Sequence, residues 1–152
     1  MLKYYLFFGL LSMRGIATEH HLPSSRVVIS LRSNSSINFQ MPLAMIDLAP
    51  SEMSGSTMIP LAIEAPFNSQ VRLSFFPLSF QPEDRVEVTL VPVQGAQSRK
   101  LLIWDGKNGV ENENFSVQIP KGEHTTSLFL EFKTVKPSPI VREGTLELLL
   151  LP

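Results

Sequence analysis

A two-residue hydrophobic period runs through this chain and returns roughly every ten residues. Val27, Ile29 and Leu31 alternate with Val28, Ser30 and Arg32, and Ile37-Asn38-Phe39-Gln40-Met41 repeats the pattern up to Pro42. Further alternating runs follow: Met58–Glu64, Gln70–Phe76, Arg85–Val91, Phe115–Ile119, Thr126–Lys133 and Thr145–Leu151, with a denser apolar run at Arg99–Trp104. Side chains two apart share one face of an extended strand, so each run can bury one face and leave the other wet. Most of the 12 prolines and the Gly/Asn/Ser turn signals fall between the runs, where a missing donor does least harm. Residues 43–57 are less regular and read as a long loop with a short helix or strand near Met45–Leu48. Beyond the first seventeen residues no helical period persists over about eleven residues, and there is no internal repeat. The expected fold is all-β: an antiparallel Ig-like sandwich of about seven to nine strands, either complete or lacking one strand that a donor supplies.

The first seventeen residues stand apart. Lys3 precedes an apolar run from Tyr4 to Met13, and Gly15-Ile16-Ala17 places small residues where a signal peptidase reads them. The run is short of the roughly 20 residues that span a bilayer. It reads as an export signal, dividing the chain into a leader (1–17), a head or strand (18–32) and a sandwich domain (33–152). The expected location is outside the cytoplasm, and no later segment has transmembrane length. A buried first strand or helix is the other reading of the same residues.

Chemistry-bearing residues are few. The chain has no cysteine, which excludes disulfides, thiolate metal sites and a thiol nucleophile together. A formal net charge of −1 lacks the basic excess of a nucleic-acid binder. His20 and His21 are adjacent and would point in opposite directions on an extended chain, and His124 falls in a predicted turn. No Gly-x-Ser-x-Gly elbow, phosphate loop or dinucleotide fingerprint is present. A hydrolase would have to be built from Glu83, Asp84, His124 and Glu131, with nothing to favour an arrangement. Glu131 and Glu147 would be neighbours if the last two strands pair, but both alternate with core positions and so face solvent. Asn34-Ser35-Ser36 and Asn114-Phe115-Ser116 match the glycosylation sequon. No metal, cofactor or catalytic residue is expected.

The layout resembles a subunit of a chaperone–usher bacterial fimbria. The resemblance rests on a signal ending Gly15-Ile16-Ala17, the alternating Arg26–Arg32 segment behind a polar head, and a glycine-led terminal strand, Glu143–Leu151. It spans the chain by order of parts. The chain departs from the family in lacking the disulfide many such pilins carry, which points to a cysteine-free branch. It also has leucine where a penultimate tyrosine is common. The resemblance implies a cell-surface fibre that supports adhesion, neighbouring copies or other fibre subunits as partners, and a periplasmic chaperone and outer-membrane usher in transit.

In such a fibre a strand from one subunit completes the sandwich of the next, its backbone pairing with an open edge while alternate side chains enter pockets. Val27, Ile29 and Leu31 are the donor candidates, and Leu146, Leu148 and Leu150 the candidates for lining the groove. A donor strand and the first strand of a complete sandwich carry the same pattern, so both readings stand at this point. The alternative function is a monomeric secreted Ig-like or lectin-like module using Trp104 and the Asp105–Asn114 loop for ligand contact.

Overall fold

The computed structural model describes residues 24–91, 99–106 and 116–152. The leader, the 18–23 head with its two histidines, and the greater part of the 105–114 loop lie outside the described residues. Among the described residues there are ten strands and no helix. They are β1 (Ser25–Ser33), β2 (Ile37–Phe39), β3 (Leu43–Leu48), β4 (Ser54–Ala65), β5 (Ser69–Pro77), β6 (Asp84–Leu90), β7 (Arg99–Trp104), β8 (Ser116–Ile119), β9 (Gly122–Thr134) and β10 (Val141–Leu151). They form two five-stranded sheets, ordered β3-β1-β10-β5-β8 and β2-β4-β9-β6-β7. The all-β sandwich expected from the alternation is therefore the fold.

The core lies between the sheets and is built from the inward residues of each alternating run. Leu128, Leu130 and Phe132 of β9 face inward, as do Leu146 and Leu148 of β10, and all five are fully buried. Each strand is the middle member of its sheet. Burying side chains of this size contributes on the order of 1.5–3 kcal/mol apiece, so the pattern that marks the strands also supplies much of the driving force.

Pairing is antiparallel with one exception: β1 and β10 run parallel, with Arg26 opposite Val141, Leu31 opposite Leu146 and Ser33 opposite Leu148. The first and last strands of the described chain thus lie side by side. On its other edge β1 pairs antiparallel with β3, from Ser25 opposite Leu48 to Ser30 opposite Leu43.

Several local expectations shift. Residues 43–48 form a full edge strand, and β4 starts at Ser54, so the expected long loop shrinks to the turn between them. In that turn Glu52 N donates to Ala49 O, and Ala49 N donates to the Glu52 carboxylate. Pro60 sits within β4, and its carbonyl accepts from Gln40 N just past the end of β2. Its missing donor therefore falls on the side of β4 where the short β2 has already ended. His124 lies in β9, which begins at Gly122 and runs through the predicted turn.

Two glycines are required by what surrounds them. Gly106, behind β7, has φ of 90°, and a Cβ there would sit 1.7 Å from the Pro82 carbonyl oxygen. At Gly144 in β10 a Cβ would lie 2.9 Å from the ring of Phe75, so its absence lets that ring pack against the strand.

Candidate functional site

The residues singled out as donor and groove candidates come together in one place. Val27, Ile29 and Leu31 enter the core between β3 and β10 and are almost wholly buried. Leu146, Leu148 and Leu150 lie on the adjacent strand with their side chains in the same core. The slot beside β10 is thus filled by β1 of the same chain. Its outward residues are Arg26, Val28, Ser30 and Arg32; Arg26 pairs with Asp47 of β3 at 2.6 Å, and Arg32 lies 4.0 Å from Glu147 of β10.

Beyond the last paired residue of β1, a side chain takes over from the backbone. Asn34 Nδ2 donates to Leu150 O at 2.9 Å, and Leu150 N donates back to Asn34 Oδ1 at 3.4 Å. The carboxamide has the donor–acceptor pair of a peptide group and extends the β1–β10 ladder past Ser33. This asparagine is the first residue of a sequon, and its amide is engaged within the fold.

Trp104 is partly buried and packs against the core. Its Nε1 donates to Gln81 O at 3.0 Å, and its ring centroid lies 6.4 Å from that of Phe80. Phe80 also meets Phe75 edge-on at 5.4 Å and Phe132 at 6.4 Å. The aromatic cluster closes one end of the sandwich, and the indole's one donor is already used.

Next to that cluster lies an ion pair with no trace in the sequence pattern. Arg142 and Asp84 are both buried, with Arg142 Nε donating to Asp84 Oδ2 at 2.6 Å. The same oxygen accepts from Gln81 N at 2.8 Å, and the guanidinium stands over the Phe132 ring at 5.0 Å. Asp84 also lines an end cavity of about 480 Å³ together with Met53, Glu83, Arg85, Asp105 and Lys133. Neither the burial of Arg142 nor its link to a residue 58 positions away is legible in the local sequence Val141-Arg142-Glu143.

The carboxylates and the histidine weighed for hydrolysis do not converge. Asp84 is opposite Thr134 at one end of β9, whereas His124 lies near the other end, ten residues away along the strand or about 33 Å. His124 Nε2 is 2.7 Å from Pro120 O. Glu131 sits on the outer face of the second sheet, 3.0 Å from Lys100 Nζ. Its hydrogen bond and charge, with Glu87 adding to them, hold the Lys100 ammonium above its ordinary pKa of 10.5 against the opposing effects of desolvation and Arg85. β9 and β10 belong to different sheets, so Glu131 and Glu147 do not become neighbours. Among the described residues no group of three His, Asp or Glu side chains could hold a metal ion.

No protein-family model matches this sequence, and no curated protein matches it.

Proposed function

We propose that this chain is a non-catalytic structural module, an exported β-sandwich that closes its own sheet with its N-terminal strand and works through its surfaces. The observation that carries this reading is the placement of β1. It pairs along both edges, with β10 and with β3 of the same chain, and its three apolar side chains occupy the core. Export rests on the leader-like pattern of residues 1–17 in the sequence. Purified chain should run as a monomer in size-exclusion chromatography with light scattering, and deletion of residues 18–32 should abolish cooperative unfolding. A truncated chain that still melts cooperatively would overturn self-closure. N-terminal sequencing of protein recovered outside the cytoplasm should begin near Thr18; an intact Met1 there would overturn cleavage.

The fibre reading is the second, and one observation favours it. Without β1, both β3 and β10 would present an unpaired edge above an open apolar slot, and the β1 of a neighbouring copy would fit the same register. Subunits joined in this way would form a cell-surface fimbrium supporting adhesion, with a periplasmic chaperone and an outer-membrane usher guiding assembly. Multimers that survive gel electrophoresis unheated and collapse to monomer on boiling would favour exchange of β1 between copies over closure within one.

A further inference from the structure

We propose that the β1–β10 ladder is a tension-bearing clamp. The two strands are parallel and adjacent, so the chain enters β1 at the Arg26–Val141 end of the ladder and leaves β10 at the opposite end, beyond Leu151. Opposed pulls on the chain before Ser25 and after Leu151 are therefore directed along the strands. They slide β1 against β10, and the evenly spaced hydrogen bonds of a parallel ladder share the force and must fail together. A pull that separates the strands sideways from one end breaks the same bonds one after another.

The neighbours reinforce the arrangement. To slip, β1 must also break its ladder with β3, and β10 its ladder with β5, which runs from Gly144 opposite Pro77 to Leu151 opposite Gln70. Leu31 and Leu146, opposite each other, and the other buried side chains of both strands must shear past their core contacts at the same time. Asn34 adds a final two-point attachment to Leu150, at the end of the ladder farthest from where β1 is pulled. Tension would reach the ladder in life only if the chain is a structural module as proposed above; the ladder's own resistance is measurable either way.

The absence of native cysteine makes introduced thiols unique handles. Full-length chain carrying Ser24→Cys and Pro152→Cys would be stretched in single-molecule force spectroscopy and compared with chain carrying Ser24→Cys and Pro139→Cys. The first pair loads the ladder lengthwise; the second pulls from the end where Arg26 meets Val141. Circular dichroism would establish that both variants are folded. The expected result is a rupture force several-fold higher for lengthwise loading. Asn34→Ala should lower that force while leaving the sideways force unchanged. Equal forces in the two geometries, measured on monomeric protein, would overturn the clamp and leave self-closure standing; multimers held by exchanged β1 strands would overturn self-closure and, with it, the clamp within one chain. Should Asn34→Ala fail to fold, the comparison of the two handle pairs decides the matter by itself.

Discussion

Arg142 Nε and Asp84 Oδ2 meet at 2.6 Å in the interior, tying the start of β10 in one sheet to the start of β6 in the other. The pair is a cross-sheet bolt at one end of the sandwich, capped by Phe132 beneath the guanidinium. Removing two charges from water is expensive, and their attraction offsets that only while both are present.

Breaking the pair should therefore do more damage than replacing it. Asp84→Leu or Arg142→Met alone is expected to destabilise the fold by about 3–5 kcal/mol, because each leaves one buried charge without its partner. The double variant Asp84→Leu/Arg142→Met should recover much of that loss. Urea denaturation of the four proteins forms a double-mutant cycle; additive losses would show that the two residues act independently.

Asn34→Ala should cost about 1–2 kcal/mol by stripping two partners from the Leu150 backbone. Asn34→Asp keeps the acceptor but loses the donor to Leu150 O, so it should recover little. Chemical denaturation of both variants, with the slope of the transition checked for constancy, measures this. An unchanged midpoint for the alanine variant would mean that solvent replaces the amide at no cost.

Trp104 offers a separation of structure from ligand contact. Trp104→Ala should destabilise by about 2–4 kcal/mol through lost packing against Phe80 and the core. Trp104→Phe retains a ring but not the donor to Gln81 O, and should lose about 1 kcal/mol. Thermal melts decide; a Trp104→Ala protein as stable as the parent would return the indole to the role of a ligand-contacting aromatic.

Lys100 makes the alkaline limb of stability predictable in sign. Its folded pKa is raised, chiefly by the hydrogen bond and charge of Glu131 and then by Glu87. The proton is held more tightly in the folded chain, so the contribution is fully present below the unfolded value near 10.5 and is lost as pH rises through the higher folded value. Lys100→Met should accordingly lower the melting temperature slightly at neutral pH and converge with the parent at strongly alkaline pH. Because the lysine side chain is exposed, added salt should shrink the difference. A difference that widened with alkalinity would contradict the assignment.

How much of this was readable from the sequence depends on how local each signal is. Val27, Ile29 and Leu31, or Leu146, Leu148 and Leu150, announce a strand because the burial period is carried by the segment itself. β3 was harder to read because Leu43 and Met45 are apolar yet point outward, which erases the contrast that marks a strand, and Asp47 alone shows the polar face. The polar Ser54-Gly55-Ser56-Thr57 likewise hid the first third of β4. What was not legible was pairing across distance. Nothing in the neighbourhood of Arg142 names Asp84, and nothing in Asn34-Ser35-Ser36 names Leu150. The choice between β1 as a donor and β1 as a first strand is the same kind of question, since either partner would see an identical pattern.

The adjacency of β1 and β10 also imposes an order on the birth of the protein. Sheet neighbours more than a hundred residues apart in sequence make closure slow, because a long chain segment must be ordered before the contact rewards it. During synthesis β1 emerges early, but its parallel partner does not exist until nearly all the described chain has left the ribosome. The first sheet therefore stays open at its centre until the last strand arrives. A chain in that condition remains threadable, as the export proposed above would require, and it is exposed to aggregation for the same interval.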